Sequence, residues 1–170
     1  MYYLKLGSIL IIIILISCTP FEDTYSAEIF KDKLEAQTKR KINNRDTIII
    51  DIKELTDFDW DFFFVVTPYS NLSKVGKITK INVDILKRTN IRYRDSMNLL
   101  VFVRNGKIIK YVEFLRLSGD FSYLENYELF SPKEAVFIVE EKDIFKSGNK
   151  YLIIKKIGTA AENQESSHGE

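Results

Sequence analysis

Residues 99–117 read LLVFVRNGKIIKYVEFLRL, and this stretch decides the fold. Two runs rich in β-branched and aromatic residues, which favour strands, lie on either side of Asn105-Gly106. Asn-Gly is the strongest short hairpin signal, because both central residues of a type I′ turn need a positive φ angle. The stretch therefore predicts an antiparallel pair of strands at 99–104 and 107–117.

Other strand signals lie on both sides of this hairpin. Residues 47–52 form a β-branched apolar run, and residues 62–66 read FFFVV. A strand that is apolar on both faces is usually central in its sheet and covered on each side. A second antiparallel pair is predicted at 135–140 and 151–157.

Helical signals are fewer and shorter. Residues 26–41 repeat apolar side chains every three or four positions amid Lys and Glu, which indicates an amphipathic helix. Ser70 or Asn71 can cap a short helix. The sum predicts one α+β domain at 26–157, with an N-terminal amphipathic helix, one or two short helices and a mostly antiparallel sheet of about five or six strands. The polar, Glu-rich residues 158–170 predict a disordered tail.

Composition excludes several kinds of site. The chain has 170 residues, with 25 basic and 24 acidic side chains, one Cys and one His. A single Cys rules out an intramolecular disulfide framework, and these counts exclude any metal site built from several Cys or His residues. Near-zero net charge argues against a nucleic-acid binder. His168 lies in the predicted tail, so no Ser-His-Asp or Cys-His constellation is supported, and no cofactor or metal is predicted.

The first segment has the layout of a secretory signal. A short start with Lys5 is followed by an apolar run at 6–16 and then by Ser17-Cys18. The run is much shorter than the roughly 20 residues with which an α-helix crosses a bilayer, so a permanent transmembrane anchor is not expected.

Leu15-Ile16-Ser17-Cys18 resembles the lipobox of bacterial lipoproteins. The resemblance implies that Cys18 receives a diacylglyceryl group and becomes the first residue of the mature chain. Residues 1–17 are then the signal peptide, and 18–25 are the lipidated Cys and its tether. Alternatively, Cys18 is an ordinary small residue of a signal peptide or a buried thiol.

The lipobox also implies a location, which is the outer side of the cytoplasmic membrane. Thr19 follows the Cys instead of the Asp that favours inner-membrane retention in Gram-negative cells. The outer membrane is therefore permitted in such a cell.

An acidic run precedes the FFFVV segment. Asp57, Asp59 and Asp61 alternate along the chain, so in a strand they point to one face and could bind Ca²⁺ or supply a general acid. The calcium-loop template fails, because Phe62 stands where its turn glycine belongs. The alternative is a loop whose Asp side chains cap backbone amides while Trp60 packs into the core.

The same region carries a second resemblance. The pattern DFDWD at 57–61, then Pro68-Tyr69, with NLLVF at 98–102 and SPKEA at 131–135, looks like a group of uncharacterised small bacterial lipoproteins. The resemblance implies an exported, anchored domain and no known chemistry. Its candidate binding residues are Asp57, Asp59, Trp60, Asp61 and Tyr69.

Two further segments allow a functional and a structural interpretation. Residues 74–94 carry seven basic side chains against one acidic one, which could face anionic headgroups or wall polymers, or form a solvated face. Residues 121–130 are rich in aromatic side chains, which could form a protein-binding surface or pack over a sheet as core.

These features predict a non-enzymatic, lipid-anchored envelope protein that binds something at the membrane or the cell wall, where an envelope protein or a wall polymer is the expected partner. One alternative is a hydrolase of envelope polymer that uses Asp59 or Asp61. Another is an immunity or inhibitor lipoprotein that docks on a toxin or lytic enzyme through 121–130 or the acidic run.

Overall fold

The computed structural model of the protein describes residues 23–42, 48–143 and 151–157. Cys18, the signal segment, the start of the tether, the loop at Gly148-Asn149 and the tail at 158–170 lie outside the described residues. The helices are α1 (Ala27–Ile42), α2 (Ile52–Leu55), α3 (Leu72–Thr79) and the 3-10 helices Asp84–Thr89, Ile91–Tyr93 and Arg116–Ser118. The strands are β1 (Ile48–Asp51), β2 (Phe62–Val66), β3 (Met97–Arg104), β4 (Lys107–Leu115), β5 (Val136–Lys142) and β6 (Tyr151–Lys156).

The predicted hairpin is confirmed. Strands β3 and β4 pair antiparallel, with Arg104 opposite Lys107 at the turn. Asn105 has φ 51° and Gly106 has φ 69°, as the Asn-Gly signal requires. The second predicted antiparallel pair is also present, as β5 and β6.

The α+β class is confirmed, but the strands form two antiparallel sheets of three strands rather than one sheet of five or six. Sheet A has the order β2-β3-β4, and sheet B has the order β1-β5-β6. The reason lies in the burial pattern. Strand β3 is buried on both faces along almost its whole length, so sheet A needs a covering layer on each side. Sheet B, together with α1, supplies one of these layers.

Strand β2 is covered on both faces, as expected, but it is not central. Its inner neighbour is β3, and its outer edge is closed by a single main-chain pair with Phe130. The Phe63 amide donates to the Phe130 carbonyl at 2.9 Å, and the Phe130 amide donates back at 2.8 Å. The central strand of sheet A is β3.

Two apolar cores lie on opposite faces of sheet A. The inner core fills the space between sheet A, sheet B and α1, and Phe30, Phe63, Phe102 and Phe137 are fully buried in it. The outer core lies beneath residues 72–94 and contains Phe64, Val101 and Leu86, among others.

Within the part of the chain that the structure describes, no helix is both long enough and apolar enough to cross a membrane.

Candidate functional site

The acidic run does not form a joint site. Asp57, Asp59 and Asp61 are exposed, and Trp60 is buried in the inner core. Asp61 Oδ2 accepts a hydrogen bond from the Asn105 amide at 2.7 Å and thereby supports the β3–β4 turn. Trp60 donates its Nε1 hydrogen to Thr56 Oγ1 at 3.1 Å. These contacts agree with the structural alternative for this segment, in which Asp caps backbone and Trp packs.

Asp57 lines a cleft with a volume of about 560 Å³, and Asp59 and Asp61 are not among the residues that line it. This cleft lies where the chain enters the domain, and its walls are formed by Thr24, Tyr25, Ser26, Ala27, Ile29, Phe58, Lys110 and Glu113. Tyr25 and Phe58 meet edge to face with ring centroids 5.2 Å apart. The walls of the cleft therefore combine aromatic side chains with charged ones.

Tyr69 lies away from these residues, at the other end of β2. Its side chain is 66% exposed, and its backbone has a φ of 61°. The Tyr69 amide donates to the Ile91 carbonyl at 3.1 Å, so the turn after β2 is attached to the segment at 72–94. The five predicted binding residues therefore do not come together. Asp61 supports the β3–β4 turn, Trp60 lies in the inner core and Asp57 lines the cleft. Asp59 is exposed to solvent, and Tyr69 lies beyond the far end of β2.

No three His, Cys, Asp or Glu side chains within residues 23–42, 48–143 and 151–157 come close enough together to hold a metal ion.

A buried carboxylate, Asp120, was not predicted. Its side chain is 1% exposed and accepts from several donors on four segments of the chain. Arg116 donates through Nη2 at 2.8 Å and Nε at 3.1 Å, and Tyr151 donates its hydroxyl at 2.7 Å. Asn98 donates from its amide at 3.2 Å, and Ser122 donates from both its backbone amide and its hydroxyl.

The donors decide the ionisation of Asp120. Burial alone would raise the pKa of this carboxyl, but the hydrogen bonds from Arg116, Ser122 and Tyr151 lower it well below the ordinary value. Burial and the bond to Asp120 raise the pKa of the Tyr151 hydroxyl. Asp120 is therefore a fixed carboxylate whose acceptor sites are occupied, and this arrangement suits a structural tie between β3, β6 and the loop after β4 rather than proton transfer.

The sequence carries little signal that distinguishes Asp120 from the other acidic residues. Its partner Arg116 stands four residues earlier, but such acid–base spacings are common in a chain with 24 acidic and 25 basic residues. Burial is what distinguishes this carboxylate, and burial becomes visible only when β3 and β6 meet.

Residues 72–94 form a layer over the outer face of sheet A, which we call the basic layer. Asn71 caps α3 by accepting from the amides of Ser73 and Lys74 at 3.0 and 3.3 Å. The seven basic side chains of the layer are all exposed: Lys74, Lys77, Lys80, Lys87, Arg88, Arg92 and Arg94. Leu72, Val75, Leu86 and Ile91 point inward to the outer core. The layer is thus apolar beneath and cationic outside.

Three of these seven cations have acidic partners. Lys87 pairs with Asp84 within the layer, whereas Arg88 reaches Asp23 at 3.3 Å and Arg94 reaches Glu113 at 3.5 Å. Among the described residues, the remaining four have no acidic side chain within ion-pair distance: Lys74, Lys77, Lys80 and Arg92. Seven basic residues against three acidic ones leave this surface strongly positive.

Apolar and aromatic side chains are exposed on the same layer. Tyr93 is 77% exposed and Ile78 is 51% exposed. Tyr93 forms one wall of a cleft of about 210 Å³, together with Asn71, Leu72, Ser73, Lys87, Asn90, Ile91 and Arg92. The basic layer therefore combines positive charge with exposed amphipathic side chains.

The aromatic segment at 121–130 is mostly core. Phe121, Leu124 and Phe130 are buried in the inner core, and Tyr127 packs against the outer core. Tyr123 alone among its aromatic side chains is exposed. The structural interpretation of this segment is confirmed by its burial.

The chain matches no protein-family model, no curated protein and no solved structure in comparisons with all three. The functional conclusion therefore depends on the chain's own residues and their geometry.

Proposed function

We propose that this protein is a lipid-anchored bacterial envelope protein whose folded domain acts by binding at the membrane or cell wall rather than by catalysis. The single observation that carries the proposal is the sequence Leu15-Ile16-Ser17-Cys18 at the end of an apolar run. Lipidation gives stable membrane attachment because each buried methylene contributes about 0.8 kcal/mol and a diacylglyceryl group brings two chains.

The geometry of the domain's start supports this proposal. Asp23 is held at the edge of sheet A, where its carbonyl accepts from the Tyr111 amide at 2.8 Å and its side chain pairs with Arg88. Asp23 follows Cys18 by only five positions. At about 3.3–3.6 Å per extended residue, the tether reaches at most about 18 Å from the lipid-bearing residue. The domain is expected to lie against the bilayer.

Several carboxylates of the domain are engaged in structural hydrogen bonds, which favours a binding role over a catalytic one. Asp61 is engaged by the Asn105 amide, Asp51 accepts from the Lys53 amide at 2.8 Å, and Asp120 is saturated with donors. A hydrolase that used Asp59 and Asp61 would need both carboxylates in one cleft, and none of the described clefts contains either. No comparable contact favours the hydrolase. Phe121, Leu124 and Phe130 are buried in the inner core, so these three side chains do not offer the docking contacts that the inhibitor hypothesis expects of this segment.

Metabolic labelling with a palmitate analogue tests the proposal. The wild-type chain is expected to incorporate the label and to sediment with membranes. Cys18→Ser removes the acceptor thiol and should abolish labelling. Ser17→Ala is the matched control, because it keeps a small residue before the Cys and should leave labelling unchanged. Labelling that persists in Cys18→Ser would contradict the proposal.

A further inference from the structure

We infer that the basic layer docks on the anionic headgroups of the bilayer in which the lipid is inserted, so that the domain is held at two points. This inference rests on the proposed lipid anchor and goes beyond it, because it assigns an orientation and a lipid chemistry to the bound domain. The occupant of the surface is an anionic phospholipid headgroup layer.

The first argument is the position of the tether. Asp23, the first described residue, pairs with Arg88 of the basic layer at 3.3 Å. The chain therefore enters the domain at the β4 edge of sheet A, directly beside this layer. A tether of at most about 18 Å is shorter than the roughly 35 Å diameter of a compact domain of this size. The faces far from Asp23 consequently cannot reach the bilayer, whereas the basic layer can.

The second argument is charge. The whole chain is nearly neutral, with 25 basic and 24 acidic residues, yet the basic layer holds seven cations against one acid of its own. The unpaired cations Lys74, Lys77 and Lys80 lie on or directly after α3, and Arg92 lies on a neighbouring 3-10 helix. A cation near an anionic membrane surface strengthens binding roughly fivefold. The positive charge is therefore concentrated on the surface that the tether holds near the membrane.

The third argument is the kind of side chain exposed among these cations. Tyr93 and Ile78 are exposed, and Tyr69, which is also exposed, is attached to the basic layer through the Ile91 carbonyl. Tyrosine is favoured at membrane interfaces because its ring is apolar and its hydroxyl is polar. Lysine keeps its charged end in the headgroup region while its stem covers apolar surface.

Short-range fluorescence quenching in vesicles tests the docking directly. The full-length lipidated protein is reconstituted in vesicles of phosphatidylcholine alone or with about a quarter phosphatidylglycerol, with a nitroxide quencher on the lipid headgroup. Ser73→Cys places a fluorophore on the exposed side of α3 without altering any charge. The acylated Cys18 has no free thiol, so the label goes to one position.

Ala36→Cys is the matched probe on the other side of sheet A, because it lies exposed on α1, which packs on the inner core through Leu34, and it also leaves the charge unchanged. The fluorophore at position 73 should be quenched more strongly in the anionic vesicles, and the one at position 36 should respond equally in both kinds of vesicle. Raising the salt from about 0.05 to 0.5 M should abolish this difference in quenching, because the shorter Debye length screens the attraction between the lysines and the anionic headgroups.

Charge removal gives the quantitative test. The triple change Lys74→Gln, Lys77→Gln and Lys80→Gln should lower the ratio of docked to undocked protein roughly 100-fold, at about fivefold for each lysine. This change leaves the outer core intact, since all three side chains are exposed.

A triple change elsewhere is the control for total charge. Lys39→Gln, Lys53→Gln and Lys133→Gln remove three exposed lysines on the inner-core side of sheet A. This variant should stay within about twofold of the wild type, because surface cations far from the bilayer are screened.

The outcomes separate the two proposals. Absence of acyl mass at Cys18 overturns both the lipid anchor and the docking. Acyl mass with equal quenching of position 73 in neutral and anionic vesicles overturns the docking alone, as does equal loss in the two triple variants. The last experiment adds purified cell-wall sacculi to neutral vesicles. A fluorescence response of position 73 to sacculi but not to phosphatidylglycerol would overturn docking on headgroups and identify a wall polymer as the ligand of the basic layer.

Discussion

Asp120→Asn is the substitution whose effect the structure defines best. The side chain is almost completely buried and joins Arg116, Ser122, Asn98 and Tyr151. Asparagine has nearly the same shape as aspartate, so no cavity is created. It removes the negative charge, however, and replaces one acceptor oxygen by an NH2 group, which turns a donor toward donors that the carboxylate now satisfies.

The expected cost follows from the exposure of Arg116. Removing one partner of a buried ion pair costs about 3–5 kcal/mol, because the other charge is left uncompensated. The Arg116 side chain is 34% exposed, and water can solvate it in part, which places the cost near the lower end, at about 3 kcal/mol. With an m-value of about 2 kcal/mol/M for urea, the unfolding midpoint should fall by about 1.5 M.

Urea unfolding followed by the fluorescence of Trp60 measures this shift, since that side chain is buried in the inner core. Asp59→Asn is the matched control, because it makes the same chemical change at an exposed site and should shift stability by less than about 0.5 kcal/mol. A loss below about 1 kcal/mol in Asp120→Asn would refute the interpretation of this cluster as the tie between β3, β6 and the loop after β4.

Three further predictions concern the turn and the acid limb. Asp61→Ala should lower the unfolding free energy by about 1 kcal/mol in urea titrations, because the Asn105 amide loses its acceptor, and Asp61→Asn should retain most of the stability. Gly106→Ala should cost about 1 kcal/mol in the same assay, since φ is 69° and no atom lies near the added Cβ, and a cost above about 3 kcal/mol would contradict a purely conformational effect. The unfolding free energy should also fall as the pH drops below about 4, because the folded-state pKa of Asp120 is depressed and the unfolded chain binds more protons there. Unfolding curves across this range should show a shallower fall in Asp120→Asn, and an unchanged slope would exclude this carboxyl as the cause.

The local elements could be predicted because their signals are local. Asn105-Gly106 defines the hairpin, and Asn71 caps α3 as one of the two proposed capping residues. The turn at 131–134 is stabilised in the same local way, with the Ser131 amide donating to Glu134 Oε2 at 2.9 Å. Each of these features depends on residues within three positions of one another.

The division into two sheets could not be predicted in this way. It depends on the pairing of β1 with β5, in which Ile50 lies opposite Phe137, a contact between residues far apart in sequence. A continuous apolar run such as 62–66 shows that both faces are covered but does not identify the neighbours. The edge position of β2 is the consequence.

The same distinction between local and long-range contacts applies to the candidate sites. The basic layer was visible as a run of charge, because α3 and the two 3-10 helices that follow it keep neighbouring residues on one surface. Its link to the tether could not be predicted from the sequence, because the contact between Asp23 and Arg88 joins residues 65 positions apart. Closeness in sequence predicts one binding site for Asp57, Asp59, Trp60, Asp61 and Tyr69, but β2 separates Trp60 from Tyr69.

The mass of the N-terminal fragment from membrane-purified protein tests the central claim most directly. The lipid-anchor account predicts a fragment that begins at Cys18 and carries a diacylglyceryl group on its sulfur. A fragment that begins at Met1, or one in which Cys18 has a free thiol, would contradict the lipid anchor and, with it, the orientation of the basic layer toward the bilayer.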